Sequence, residues 1–269
     1  MEGCVIFVFS GTGNTAFVAE KLGESLQGQG VSTRVINIDQ AGEMPDLSQV
    51  KYLGLGYPVY AWSLPSNVLE FARRLPAAGE GQKGFVFATY GGSPLHAVPE
   101  GAAILKEKGY RLLRSRGFKF PDNYTTSVIS CFDRTTPEER ERRFAAAAPA
   151  IAEYAGEILA DRTEVDAGGG IFGRFVSAFV GNGFRKHGAP GEGKKFSVSD
   201  ACTSCRLCAR TCPVENIRMA EGKPAFQDHC IVCCRCFNVC PVKAIGHPGA
   251  PSKEYRYTAP GYKPPILRD

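Results

Sequence analysis

Eight cysteines are spaced for metal chemistry. Cys202, Cys205, Cys208 and Cys212 form a C-x2-C-x2-C-x3-C-P run ending at Pro213, and Cys230, Cys233, Cys236 and Cys240 repeat it 28 residues later, ending at Pro241. Thiolates at this spacing hold iron–sulfur clusters, and two such runs in one short segment form the bacterial two-cluster pattern. Zinc also binds C-x2-C pairs, but it takes four ligands per site and this spacing is not its usual one. Cys212-Pro-Val-Glu-Asn-Ile217 matches Cys240-Pro-Val-Lys-Ala-Ile245 at the same offset, so the segment is an internal repeat. Cys234 breaks the register and is read as a non-ligand, and His229 and His247 flank runs that are complete without them. Of the remaining thiols, Cys4 is expected to be a buried strand residue and Cys131 a loop or strand thiol.

A second chemistry is written near the N-terminus. Ser10-Gly11-Thr12-Gly13-Asn14-Thr15 follows an apolar run and leads into a helical pattern. Backbone N–H groups, hydroxyls and a helix N-terminus together make a cradle for a phosphate. The loop lacks the lysine of a nucleotide-triphosphate loop and the third glycine of a dinucleotide fingerprint. Two further loops carry aromatic and small residues, Tyr57-Pro58-Val59-Tyr60-Ala61-Trp62 and Thr89-Tyr90-Gly91-Gly92-Ser93. A flat, apolar-faced ring would stack on Tyr60, Trp62 or Tyr90, all of which qualify. Gly91 and Gly92 would let backbone polar groups reach its edge.

These loops need a scaffold that holds them side by side. Residues 1–120 alternate short apolar runs with helical patterns, which argues for βαβ units and a parallel sheet. The pattern places strands at Cys4–Phe9, Val31–Ile38, Tyr52–Gly56, Phe85–Thr89 and Arg111–Phe120. Helices are expected after the Ser10–Thr15 break through about Gln29, then over Leu64–Leu75, Leu95–Lys108 and Glu138–Leu159, the last carrying Pro149. The class is α/β, a doubly wound five-stranded parallel sheet of order 2-1-3-4-5, with ligands outside the carboxyl ends of the strands.

The loop Ser10, Thr12, Gly13, Thr15 resembles the S/T-x-T-G-x-T phosphate loop of flavodoxins, and the two aromatic loops resemble that family's isoalloxazine loops. Residues 196–248 resemble the two-[4Fe-4S] ferredoxin domain of bacteria, an α+β unit. Together the chain resembles a flavodoxin–ferredoxin fusion of the kind found in anaerobes. The resemblance implies FMN bound by Ser10 to Thr15, Pro58 to Trp62 and Thr89 to Gly92. It implies one cluster on Cys202, Cys205, Cys208 and Cys240, and a second on Cys230, Cys233, Cys236 and Cys212, since the fourth cysteine of each run crosses over. The expected activity is electron transfer between the clusters and FMN, to or from a protein redox partner. A flavin-dependent reductase of a small substrate is the alternative, with Tyr60, Tyr90 and His96 as near-loop proton donors. A sensor with structural clusters is a third class.

The expected division is a flavin domain over 1–160, a linker over 161–195, the cluster domain over 196–248 and a tail over 249–269. Hydrophobic residues make up 43% of the 269, enough for a real core. Residues 1–160 carry a net −1, and 161–195, 196–248 and 249–269 carry +2 each. That excess is too mild for a nucleic-acid footprint, although a basic docking face for an acidic partner fits it. No apolar stretch of about 18 residues is present and no secretory leader is evident, so a cytoplasmic protein without a transmembrane segment is expected. Asp166 to Gly170 reads as flexible, and Ile171–Lys186 reads as a short helix packing one domain on the other, with a membrane-surface segment as the alternative. The tail gives no chemical signal and is expected to wrap a domain.

Overall fold

The computed structural model describes residues 3–123, 135–249 and 256–268, so Cys131 lies outside the described residues. Strands β1 (Gly3–Val8), β2 (Ser32–Asn37), β3 (Val50–Pro58), β4 (Lys83–Tyr90), β5 (Arg111–Leu112) and β6 (Arg116–Lys119) form one parallel sheet. Its order is β2-β1-β3-β4-β5, with β6 also paired to β4.

Alternation along each strand divides the core in two. Val5, Phe7 and Phe9 face one layer with Leu53, Leu55, Val86 and Ala88, while Cys4, Ile6 and Val8 face the other with Phe85 and Phe87. Helices α2 (Ser66–Arg74) and α3 (Ala97–Glu107) cover the first face. Helices α1 (Asn14–Gly28) and α4 (Pro137–Leu159) cover the second through Val18, Leu22, Ile151 and Tyr154. A strand sheathed on both faces reads as a continuous apolar run, which is what β1 is. Thr136 caps α4 by accepting the Glu139 N–H at 3.2 Å, and Pro137 opens it.

The single fifth strand expected over Arg111–Phe120 is instead two pieces. Between them the Ser115 hydroxyl, not a backbone carbonyl, accepts the Val86 N–H at 3.1 Å. The buried Tyr154 hydroxyl reaches the Val86 and Arg114 carbonyls at 2.9 and 3.0 Å. Arg114 and Ser115 turn their N–H groups to Arg162 and Glu164. The ladder is therefore interrupted by side chains from α4 and the strand itself.

Asp166 opens the stretch Asp166 to Gly170. Asp166 accepts from Arg114 and from the Gly117 N–H at 2.9 Å each, fixing the entry to α5 (Gly170–Val176). Two π-helical turns, Ser177–Gly181 and Phe184–Gly188, then lead to α6 (Ala189–Gly193).

The cysteine-rich region is built on two antiparallel pairs. β7 (Ser197–Val198) pairs with β10 (Ile245–Gly246), and β8 (Ile217–Ala220) with β9 (Lys223–Phe226). Short helices α7 (Leu207–Arg210) and α8 (Arg235–Val239) each contain the third cysteine of their run, Cys208 and Cys236. The 28-residue repeat extends to the backbone. Ser204 and Val232, Arg206 and Cys234, and Glu215 and Lys243 are each matched in left-handed φ, between 50° and 63°. Cys234 thus holds the place that Arg206 holds in the first copy, the residue preceding the helix.

Candidate functional site

The loop Ser10 to Thr15 leaves the carboxyl end of β1 and becomes the first turn of α1. Its hydroxyls knit it to its neighbours. Ser10 Oγ accepts the Gly13 N–H at 3.0 Å, Asn123 donates to Thr12 Oγ1 at 2.9 Å, and Thr15 and Thr89 share a hydrogen bond of 2.8 Å. Gly13 adopts φ 108°, a conformation that side-chain-bearing residues rarely adopt. Asn14 and Thr15 open α1, where N–H groups have no intrahelical acceptor and attract anions.

Val59 ties the loop after β3 to β4 by donating to the Thr89 carbonyl at 2.8 Å. Tyr60 and Ser63 then pair through two backbone hydrogen bonds, and Ala61 and Trp62 between them take left-handed φ of 47° and 62°. This tight turn swings Trp62 to the rim.

Two adjoining cavities result. A narrow one, about 30 Å³, is lined by Ser10, Gly11, Thr12, Asn14, Thr15, Pro58 and Thr89. A wide one, about 630 Å³, is lined by Ala61, Trp62 and Gly92 among others. Val59, Tyr60, Tyr90 and Gly91 border both. Of Ser10 to Thr15, Pro58 to Trp62 and Thr89 to Gly92, every residue lines one of these spaces except Gly13, which lies against Ala259 and Tyr262.

Three observations bear on what fits there. Among the described residues the Tyr60 hydroxyl is buried without a hydrogen-bond partner, beside Gly11. Burial holds its pKa well above the ordinary phenol value, with Cys233 and Cys234 adding to the effect, so it is a donor awaiting an acceptor. A Cβ on Gly11 would lie 2.7 Å from that hydroxyl and from the Cys233 carbonyl oxygen, so this approach requires glycine. Trp62 and Tyr90 present aromatic surface to the wide cavity, whereas Tyr60 packs edge-on to Phe9 at 6.5 Å in its floor.

Sequence reasoning missed the far wall. Asp122 and Asn123 follow β6, and Val180, Phe184, Glu192, Lys195, Val232 and His247 close the wide cavity from the C-terminal half. His96, expected near the loops, does not line either cavity. His247 does, with Nε2 3.4 Å from the Glu192 carboxylate, which also pairs with Lys195 at 2.5 Å.

The cysteines gather in two sets. Cys212, Cys230, Cys233 and Cys236 line one small cavity with Phe196, Ile217 and Phe226. Burial pushes Cys230 up to about 11 and Cys233 up to about 12, and it holds Cys236 well above the ordinary thiol value, with the neighbouring cysteines adding to it. In the other set burial pushes Cys208 up to about 11, and Cys205 and Cys240 lie close enough to add to the shift. Cys212 thus lies with Cys230, Cys233 and Cys236, and Cys240 lies near Cys205 and Cys208. Backbone N–H groups of Asn216, Val232 and Ala244 donate to the sulfurs of Cys212, Cys230 and Cys240 at 3.3 Å each. Such bonds stabilise a thiolate and tune any cluster it holds. Cys234 turns its thiol to the Val232 carbonyl at 3.5 Å.

None of the ten described cysteines is in a disulfide. Among the described residues no three His, Cys, Asp or Glu side chains converge on one ion-sized point. Thiolates that ring a cubane stand wider apart than the ligands of one ion.

Arg235 joins the two sites. It is fully buried and donates to the carbonyls of Ser10 at 2.8 Å, Gly11 at 3.2 Å and Thr211 at 2.7 Å, and to the Asp39 carboxylate at 2.6 Å. Burial raises Asp39 and Arg235 opposes that rise. A charged residue between Cys234 and Cys236 was the available signal. The tail, expected to be chemically silent, closes the same junction. Ala259 donates to the Thr12 carbonyl at 2.8 Å, Tyr257 hydrogen-bonds Asn14, and the Tyr262 hydroxyl reaches the Ser10 and Gly11 carbonyls at 3.2 Å.

Comparison with known proteins agrees with the geometry at the N-terminal end. Residues 5–92 match the family model described as Flavodoxin domain. No curated protein matches the chain. Among solved structures, the rubredoxin oxygen:oxidoreductase of Desulfovibrio gigas is 19% identical, over 60% of this chain and 37% of that one, with a TM-score of 0.39. Oxidised flavodoxin 1 from Bacillus cereus is 18% identical, over 59% and 97%, at 0.41. Fusobacterium nucleatum flavodoxin bound to flavin mononucleotide is 11% identical, over 61% and 100%, at 0.42. The family match and the 2-1-3-4 order of the parallel sheet identify a flavodoxin-like domain at the N-terminal end of this chain.

Proposed function

We propose that this chain is an electron-transfer protein in which two [4Fe-4S] clusters exchange electrons with FMN, to or from a protein redox partner. The observation that carries this reading is the shared wall at Gly11. The Cys233 carbonyl and the Tyr60 hydroxyl both press on that glycine, and Val232 lines the wide cavity while Cys233 lines the cysteine cavity. A flavin in the loops and a cluster on Cys212, Cys230, Cys233 and Cys236 would then be separated by one layer of chain.

The residues fit both groups. The N-terminus of α1 and the loop hydroxyls would hold a phosphate, Tyr60 would gain an acceptor, and Trp62 or Tyr90 would take the ring. FMN would supply one- and two-electron chemistry there. Burial raises the pKa of Cys212, Cys230, Cys233 and Cys236, which opposes their ionising together, and bound iron would supply the compensating charge. The cluster domain would comprise residues 196–248, and the flavin domain residues 1–160.

Anaerobic reconstitution followed by flavin and iron analysis tests the reading. About one FMN and about eight iron atoms per chain are expected. Iron without flavin, or flavin without iron, would refute it.

The reductase reading gains one observation, the Lys195–Glu192–His247 group at the wall of the wide cavity. Those side chains could carry a proton to a small substrate reduced at the flavin. A steady-state screen of small oxidised acceptors, with His247→Gln as control, separates the two readings.

A further inference from the structure

The stretch from Gly170 to Gly188 is amphipathic in the wrong sense for a helix that merely bridges two parts of a protein. Its inner face is made of small residues. Gly173 sits where a Cβ would meet the Gly168 carbonyl oxygen at 2.0 Å, and Gly181 where one would meet the Ser63 Cβ at 2.6 Å. Between them Ser177 Oγ donates to the Trp62 carbonyl at 2.6 Å. The spacing of four residues keeps all three on one side and lets the backbone lie flat on the flavin-side loops.

The outer face carries the bulk. Ile171 is 91% exposed, Phe172 70%, Phe175 59% and Phe179 66%, and Phe175 and Phe179 hold their ring centroids 4.4 Å apart. Scattered exposed apolar residues need no explanation, but four large ones along α5 and the π-helical turn that continues it do. Among the described residues nothing covers them. Such high exposure makes the row a protruding ridge and not a groove, which suits insertion into a fluid surface better than docking on a shaped one.

Charge selects the surface. Residues 167–191 contain no Asp or Glu. Arg174, within the row, and Lys186, further along the same stretch, are exposed, while Arg185 is committed to Glu100 at 2.9 Å. Aromatic residues on one side with cations at the margins are the arrangement of a helix that lies in the headgroup layer of an anionic bilayer. Among the described residues no helix is long and apolar enough to cross a membrane, so contact would be peripheral.

We infer that the Ile171–Phe179 ridge docks the protein on an anionic lipid surface. Docking there would set the mouth of the wide cavity near the bilayer, because Val180 belongs both to the exposed face and to that cavity's wall.

Flotation of the reconstituted full chain tests this with vesicles of phosphatidylcholine alone and of phosphatidylcholine mixed with phosphatidylglycerol. The protein should float with the mixed vesicles and stay behind with the neutral ones. A Phe172→Ser, Phe175→Ser double variant should lose about tenfold or more of that partitioning, and Arg174→Glu should lose it with the apolar ridge intact. Both change exposed side chains, and unchanged thermal melting would verify the fold. Failure of the parent to float with anionic vesicles, or undiminished flotation of both variants, would overturn the inference. So would a concentration-dependent dimer that the Phe variants dissociate, which would assign the ridge to a second copy. Flotation reads neither flavin nor iron, so its outcome is separate from that of the electron-transfer reading.

Discussion

Replacing Arg235 with methionine removes a guanidinium that holds the Ser10 and Gly11 carbonyls and the cysteine region together. The Arg235 side chain is 0% exposed and that of Asp39 is 2%, so the variant leaves a carboxylate buried without its partner. Three carbonyls, those of Ser10, Gly11 and Thr211, lose a donor as well. Breaking a buried pair in this way costs about 3–5 kcal/mol, because the orphaned charge pays its desolvation uncompensated. For a chain of this size that is a fall of roughly 10 °C in Tm. The pH dependence has a defined sign. Burial already raises the Asp39 pKa and Arg235 opposes it, so the variant's folded-state value rises further above the unfolded one. The penalty is then full at pH above the folded value and shrinks as acid protonates Asp39. Anaerobic thermal melts of wild type, Arg235→Met, Asp39→Asn and the double variant form a cycle. The double variant should recover a large part of the loss, since it removes the buried charge together with its partner. A single variant within about 1 kcal/mol of wild type, or a deficit that grows on acidification, would refute the reasoning.

Further predictions follow from the same geometry. Cys212→Ala should remove the cluster assigned to Cys230, Cys233 and Cys236 and spare the one nearer in sequence; iron content should fall by about half, with one EPR signal kept. Gly11→Ala would put a methyl 2.7 Å from the Cys233 carbonyl oxygen and the Tyr60 hydroxyl, so fluorescence titration should register a loss of FMN affinity of about tenfold or more. Gly13→Ala combines φ 108° with a 2.7 Å contact to Ala259 and Tyr262; it should cost about 1–3 kcal/mol in denaturant melts and loosen the tail towards proteolysis. The Lys83 hydrogen bond, aided by Arg111, holds the Asp161 pKa below its ordinary value. Its contribution is therefore present above about pH 4 and lost as the pH falls through the depressed folded value, and Asp161→Asn should flatten the acid limb of a stability–pH curve.

What could be read from the sequence was local. The two-sided burial of β1 makes Cys4–Phe9 a solid apolar run, and the cluster spacing is a pattern of neighbours. The cradle loop is legible because hydroxyls and glycines crowd into six residues. The distant contacts left no such trace. Arg235 meets Asp39 across the two halves, Tyr154 breaks the fifth strand from a helix beyond it, and Tyr257 and Tyr262 return to Asn14 and Ser10 from the far end. The far wall of the wide cavity comes from Asp122, Asn123, Val232 and residues of the 180–195 and 247–249 stretches, whose role depends on how the chain closes on itself and not on any motif. Ile171–Lys186 reads in sequence as a short helix packing one domain on the other; in the structure Gly173 and Gly181 make its close contacts while Phe172, Phe175 and Phe179 are exposed, an arrangement the pattern of apolar residues does not reveal.

The central claim is that the cysteine set of Cys212, Cys230, Cys233 and Cys236 passes electrons directly to a flavin held by the loops around Gly11. Anaerobic stopped-flow mixing of the reconstituted protein with a one-electron reductant, followed at flavin and cluster wavelengths, tests it most directly. Flavin reduction should follow cluster reduction in a step independent of protein concentration, and Cys212→Ala should slow it while FMN stays bound. A flavin reduced at the same rate in that variant, or only in proportion to protein concentration, would contradict the account.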